Sequence, residues 1–134
     1  MSHHAFFDDV ATIVLRDPLA ELLGAAEGGI VEYRYAEAVK LAGHSCPTVA
    51  GAWLMNRRAL AALYPGERPE RGAIRVDFRD AATAGVTGVI AAVTTLITGA
   101  TYDTGFKGLG GRFDRRQRLF FDAAIGGELR FQRL

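Results

Sequence analysis

The chain has 134 residues, of which 49% are hydrophobic, and its formal net charge is +1. This length and apolar content predict one globular domain over residues 1–134. The nearly balanced charge gives no strong attraction to nucleic acid or anionic lipid, and neither is expected as a partner. A single cysteine excludes an internal disulfide and is typical of a cytoplasmic protein. The N-terminus has no signal-peptide pattern, and the most apolar stretch, 85–100, is shorter than the roughly 20 residues of a membrane span.

The first half of the chain predicts short strands followed by helices. Asp17 before a proline is typical of a helix N-terminus, because its side chain can accept from free amide groups. A long helix is predicted to begin at Pro47, with apolar residues at intervals of three and four. Asn56 and the two arginines after it interrupt that pattern and are predicted to face water. The predicted elements are a strand over 10–16, a helix from Pro18 to about Ala26, a strand over 30–34, and helices over 35–42 and from Pro47.

The second half predicts more strand. Alternating apolar residues predict a strand over 73–80, and three-and-four spacing predicts a helix from Val86 to Ile97. Residues 99–113 are rich in glycine, have no period and predict a loop. Strands over 118–125 and 128–134, joined by two glycines, predict a hairpin. The predicted class is α+β, with an antiparallel or mixed sheet packed against two to four helices.

The segment AGHSCPT, residues 42–48, holds the only cysteine and one of three histidines. If Pro47 is the first helical residue, Cys46 is the N-cap, where free N–H groups and the helix dipole stabilise a thiolate. His44 lies two residues earlier, so both side chains could share a zinc-like divalent metal. A zinc site needs about three or four ligands, however. The alternative is a capped turn in which the thiol is buried and the histidine bonds to backbone.

The loop over 99–113 is a second candidate site. Asp103 offers a carboxylate ligand or a base, and Lys107 with successive backbone N–H groups offers an anion site. The loop is not a phosphate loop, because Gly108 rather than Ser or Thr follows Lys107. The alternative is a connector whose glycines allow tight packing.

Two further groups of polar residues are expected to be less important. Arginines close to phenylalanines superficially resemble a nucleic-acid surface, but the phenylalanines lie in a predicted core strand and the net charge is low. His3 and His4 lie near the N-terminus and are predicted to be frayed and solvated. The arginines concerned are Arg112, Arg115, Arg116 and Arg118.

A family resemblance begins at this same turn. RYAEAVKLAGHSCPTVAGAWLMNRRAL, residues 34–60, resembles the core segment of the FmdE family of formylmethanofuran dehydrogenase proteins, in which a glycine-histidine-x-cysteine-proline turn joins two helices. LITGAT, residues 96–101, is similar to a second family segment that leads into a glycine-rich loop. The resemblance covers about residues 34–105. It implies an α+β core, an intertwined homodimer and, in some members, a metal near the positions of His44 and Cys46.

The chain also departs from the family pattern. The family often has a histidine where Ala42 stands and cysteines near Gly85 and Ala100, and some members carry a C-terminal zinc finger for which this chain has no cysteines. The chain therefore resembles the members that consist of the core alone.

Three functional hypotheses follow. The first is a homodimer that holds a zinc-like divalent metal through His44 and Cys46, with Asp103, a partner-chain group or water completing the site, and that binds or transforms a small molecule. The second is a metal-free binder of a small molecule or anion, which uses Cys46, Thr48, Lys107 and loop amides. The third is an accessory subunit of a larger oxidoreductase. The sequence leaves open whether the protein is an enzyme.

Overall fold

The computed structural model describes residues 2–134 and has an α+β architecture, as predicted. The helices are α1 (Pro18–Leu22), α2 (Tyr35–Ala42), α3 (Pro47–Leu63) and α4 (Thr87–Thr98). The strands are β1 (Ile13–Arg16), β2 (Ile30–Tyr33), β3 (Ile74–Phe78), β4 (Leu119–Phe120) and β5 (Leu129–Arg133). Short 3-10 helices cover Ala5–Asp9 and Glu27–Gly29. No helix within residues 2–134 has both the length and the apolarity needed to cross a bilayer.

The strands form one antiparallel and one mixed sheet. β1 and β2 pair antiparallel, with Ile13 opposite Tyr33. In the second sheet β3 lies in the middle, parallel to β4 and antiparallel to β5. Val76 in β3 lies opposite Leu119 on one side and Phe131 on the other. An antiparallel and a mixed sheet with four helices match the predicted fold class.

The predicted C-terminal hairpin is wrong. β4 and β5 do not pair with each other, because β3 lies between them. After β4 the chain bends at Asp122, whose φ is +55°. The amide of Ala123 then donates to the carbonyl of Phe78, so the segment passes around the end of β3 before β5 begins. The two glycines at 126 and 127 mark a change of direction in the chain but do not join neighbouring strands.

The boundary between α2 and α3 follows from local chemistry. Gly43 ends α2 with a left-handed φ of +80°, and its amide donates to the carbonyl of Val39. Glycine adopts this conformation without a Cβ penalty. Cys46 is the N-cap of α3 in extended conformation, and Pro47 is the first helical residue, as predicted.

The hydrophobic core draws side chains from β1, α2, α3, β3 and α4. Each fully buried aliphatic or aromatic side chain contributes about 1.5–3 kcal/mol relative to exposure. The large apolar side chains with almost no exposure are Leu15, Val49, Trp53, Leu60, Ile74, Val76, Phe78, Val93 and Ile97. This core fixes α3 against α4 and so holds the turn before α3 in place.

The prediction that Asn56 faces water is also wrong. Its side chain is fully buried between α3 and α4. Its amide group donates to the carbonyl of Ala52 at 2.9 Å and to the hydroxyl of Thr94 at 3.0 Å. Arg57 and Arg58 are exposed, as predicted. Asn56 lies four residues after Ala52, on the apolar face of α3, and the hydroxyl that α4 supplies there gives its amide nitrogen a second partner.

Candidate functional site

The turn from Gly43 to Cys46 connects α2 to α3 and presents His44 to solvent. Tyr35, at the start of α2, is buried, and its hydroxyl hydrogen-bonds the hydroxyl of Ser45 at 2.7 Å. Tyr35 also packs edge-to-face against Trp53 in α3. The turn is therefore tied to the core through Ser45, while His44 on one side is exposed and Cys46 on the other is half-buried.

The imidazole of His44 has a defined orientation. Its Nδ1 lies 3.0 Å from the carbonyl oxygen of Ala42. Because a carbonyl oxygen can only accept, Nδ1 must carry the hydrogen, and Nε2 of the neutral ring keeps its lone pair. The carbonyl of Ala42 and the neighbouring Cys46 raise the pKa of His44 above its ordinary value of 6.5. A metal-bound histidine commonly makes this backbone hydrogen bond with its other nitrogen.

The thiol of Cys46 lies over the first turn of α3. It forms no hydrogen bond that closes the cap, but the backbone N–H of Val49 points toward it and lowers its pKa below the ordinary 9.0. Thr48 and His44 act in the same direction, whereas partial burial opposes them. The thiolate is therefore stabilised at the N-terminus of a 17-residue helix, which is the environment predicted for it.

An exposed strip of α4 lies between His44 and part of the loop over 99–113. Gly88 and Ala92 on the exposed face of α4 line a groove of about 210 Å³ together with His44. The same two residues line a second groove of about 360 Å³ together with Tyr102 and Thr104. This strip of α4 thus separates the turn from that part of the loop.

The loop residues of the predicted site have other surroundings. Asp103 is exposed and accepts a hydrogen bond from Nε2 of Gln117 at 2.7 Å. Lys107 is exposed as well, and Thr48 is half-buried beside Cys46. Within residues 2–134, no three His, Cys, Asp or Glu side chains are grouped closely enough to hold a metal ion. Of the residues predicted to act at the site, the structure brings together His44, Cys46 and Thr48.

The N-terminal segment approaches the turn, which the sequence did not indicate. Phe7 is buried and packs edge-to-face against Tyr35, so this end of the chain is ordered against α2 rather than frayed. A cavity of about 400 Å³ beside Ser45 is lined by His3 and His4. His3 bonds to Asp8 at 2.9 Å. Phe7 alone anchors the segment, because Phe6 beside it is exposed, and the sequence does not distinguish the two.

The arginines of the C-terminal third do not form one exposed surface. Arg115 is buried, with 5% of its surface exposed. Arg116 bonds to both carboxylate oxygens of Asp114, and Arg118 donates to the carbonyl of Gly72. Arg112 stacks over the ring of Phe113. These separate roles give no support to a nucleic-acid surface.

Compared with protein-family models, with curated proteins and with solved structures, the chain matches none of them. The resemblance to the FmdE family therefore stays a prediction from the two sequence segments.

Proposed function

We propose that His44 and Cys46 are protein ligands of a divalent metal of the zinc type. The observation that carries this proposal is the hydrogen bond from Nδ1 of His44 to the carbonyl of Ala42, which leaves Nε2 available as a ligand. Cys46 supplies a thiol with a lowered pKa two residues away. Imidazole nitrogen and thiolate sulfur are both ligands that zinc prefers.

The two ligand types fit zinc, but two are fewer than a zinc site needs. The remaining ligands in this proposal are water or a group from a second copy of the chain, because Asp103 bonds to Gln117 and forms no metal-binding group with His44 and Cys46 within residues 2–134. A metal with an open position would polarise a carbonyl of a small molecule or activate a water molecule. The chain's own part is to orient the imidazole and to favour the thiolate form of Cys46.

The homodimer implied by the family resemblance belongs to the same proposal. Gly88 and Ala92 lie on the exposed face of α4 beside His44, and neither carries a side chain larger than a methyl group. A second chain could therefore approach the turn closely and bring a ligand to the metal. Sedimentation velocity with and without added zinc tests this step, and we expect zinc to shift the protein toward the dimer.

Metal content is the direct test. Protein made without an affinity tag is dialysed against zinc and analysed by inductively coupled plasma mass spectrometry. We expect bound zinc in the unmodified protein and in Arg57→Gln, which changes an exposed side chain on α3, but not in His44→Ala or Cys46→Ser. The same zinc content in all four proteins would refute the proposal.

A chelator separates this proposal from the second hypothesis, metal-free anion binding by the turn together with Lys107 and the loop amides. If anions raise the melting temperature in the presence of chelator, and Thr48→Ala and Lys107→Ala abolish the increase, the second hypothesis replaces the first. Copurification of a larger enzyme with the native protein would instead indicate an accessory subunit.

A further inference from the structure

A cavity remote from the metal proposal lies between the first residue of α1, residues 70–73 and residues 112–118. Its volume is about 200 Å³, which is below the roughly 300–1,000 Å³ of sites for drug-sized ligands. We call it the arginine cavity, because four of its lining residues are arginines. They are Arg71, Arg112, Arg115 and Arg118.

Arg115 is the buried member of this group. Its Nη2 donates to Oδ1 of Asp17 at 2.7 Å. Its Nε and Nη1 are buried and have no hydrogen-bond partner within residues 2–134. Buried donors without partners are uncommon, since each costs the hydration that it loses. Because Arg115 lines the cavity, the charge of this buried guanidinium lies close behind the cavity wall and favours an anion there.

Two glycines make room for this guanidinium. Gly72 has a φ of +97°, and a Cβ there would lie 2.9 Å from Nε of Arg115. Gly99, with a φ of +76°, ends α4, and a Cβ there would overlap Nη1. A Cβ at either position would displace the guanidinium, so the observed position of Arg115 requires glycine at both residues.

The nearby carboxylates do not neutralise the arginines. Asp17 is shared, because its Oδ2 also pairs with Arg71 at 3.0 Å. Asp114 is bonded through both oxygens to Arg116. Glu70 lines the cavity as the third carboxylate and opposes an anion there. Together with Arg116, five arginines thus face three carboxylates, which leaves an excess of positive charge.

Two of the arginines that line the cavity have N–H donors that are not hydrogen-bonded. Arg112 is exposed, stacks on Phe113 and makes no ion pair within the described part of the chain. Arg118 donates only to the carbonyl oxygens of Gly72 and Arg116 and likewise has no carboxylate partner among residues 2–134. A planar guanidinium has five N–H donors, so both retain several that can reach a bound oxyanion.

We propose that the arginine cavity binds a small oxyanion of the phosphate type. Arg112 and Arg118 would donate to its oxygens, while Arg115 behind them supplies buried positive charge. Arginine suits this role because its fork of donors matches the geometry of phosphate and carboxylate oxygens. The site shares no residue with the His44–Cys46 turn, so it does not depend on the proposed metal.

Isothermal titration calorimetry with inorganic phosphate tests the proposal. The protein is titrated in chloride buffer at constant ionic strength, because phosphate also stabilises proteins by general exclusion from their surface. We expect saturable binding with one site per chain. His44→Ala should bind phosphate equally well, which separates this site from any phosphate bound to a metal at the turn. Acetate in place of phosphate tests whether a carboxylate serves as the occupant.

Arg112→Gln is the informative variant, because the side chain is exposed and its removal leaves the buried ion pairs intact. We expect it to weaken phosphate binding by about tenfold or more. Arg57→Gln, which removes an exposed arginine from α3, is the matched control and should leave the affinity unchanged. As a second readout, the NMR signals of the Arg115 Nε–H and the Gly72 amide should move during the titration.

The proposal is wrong if phosphate and acetate both give no saturable heat. It is equally wrong if Arg112→Gln and Arg57→Gln lose the same small amount of affinity, since that result indicates screening of surface charge. Binding lost in His44→Ala would place the anion at the turn and would also overturn the assignment.

Discussion

The turn at residues 42–48 and the arginine cavity both contain ionisable side chains, but these side chains differ in burial. At the turn, His44 is exposed, and local hydrogen bonds set its protonation. At the cavity, Arg115 of the wall and its partner Asp17 are both about 5% exposed, so each charge needs the other as a partner. We therefore expect substitutions to change the free energy of unfolding little at the turn and strongly at the buried Asp17–Arg115 pair.

The largest effect is expected from Asp17→Asn. This change keeps an N-cap residue for α1 but removes the charge that pairs with Arg71 and Arg115. Leaving guanidinium groups buried without a partner costs about 3–5 kcal/mol of unfolding free energy. Urea unfolding at pH 7 measures the loss. Asp9→Asn, at an exposed position, should stay within about 0.5 kcal/mol of the unmodified protein.

Acid unfolding gives a second view of the same carboxylate. Burial alone would raise the pKa of Asp17, but the amide of Ala20 and the guanidinium groups of Arg115 and Arg71 lower it below 3.8. Because the folded pKa is depressed, the stabilisation is fully present above pH 3.8 and is lost as the pH falls below it. We expect Asp17→Asn to lack this part of the acid dependence. Equal acid dependence in both proteins would show that Asp17 is not held as an ion.

A smaller effect is expected for the extra loss that Gly99→Ala shows over Gly24→Ala. A Cβ at this position meets the buried guanidinium of Arg115, and the residue has a left-handed φ. Gly24 has a similar φ of +71° but open space around it. Gly24→Ala should cost about 1–3 kcal/mol from backbone strain. Gly99→Ala should cost about 1–3 kcal/mol more from overpacking. If thermal unfolding shows equal losses for Gly99→Ala and Gly24→Ala, the Arg115 guanidinium has more room than the structure indicates.

At the turn, substitutions should hardly change stability. We expect His44→Ala and Cys46→Ser to stay within about 0.5 kcal/mol of the unmodified protein when unfolding is measured in chelator, because His44 is exposed and serine keeps the size of the half-buried Cys46 and is a favoured N-cap residue. Added zinc should then stabilise only the unmodified protein by mass action. A loss of several kcal/mol without metal would remove the contrast between the two regions.

The smallest effect is on protonation. We expect NMR titration to give His44 a pKa above 6.5, because the carbonyl of Ala42 and Cys46 both favour the protonated ring. In Cys46→Ser the contribution of Cys46 is lost, so the pKa should fall toward 6.5. Since protonated imidazole cannot bind a metal, zinc affinity should decline as the pH falls through this raised pKa. An unchanged pKa in Cys46→Ser would mean that the two side chains do not interact.

Much of the fold could be predicted because local signals agree with it. Helix α2 ends and α3 begins at the positions that were predicted from Gly43, Cys46 and Pro47. The strand β3 and the helix α4 also follow the predicted periods. The prediction of a C-terminal hairpin was wrong because strand pairing depends on which strand edges are available, and β3 lies between β4 and β5.

The sequence by itself determined the α+β class, the capped turn and the adjacent placement of His44 and Cys46, because residues close in the chain fix caps and turns. Only the tertiary structure decided the partners of Asp17, which lies 98 positions before Arg115. It also decided that Asn56 is buried against Thr94 and that Asp103 bonds to Gln117 and is not grouped with His44 and Cys46 within residues 2–134. These outcomes depend on burial between distant segments, and burial determines whether a polar group needs a partner or remains hydrated.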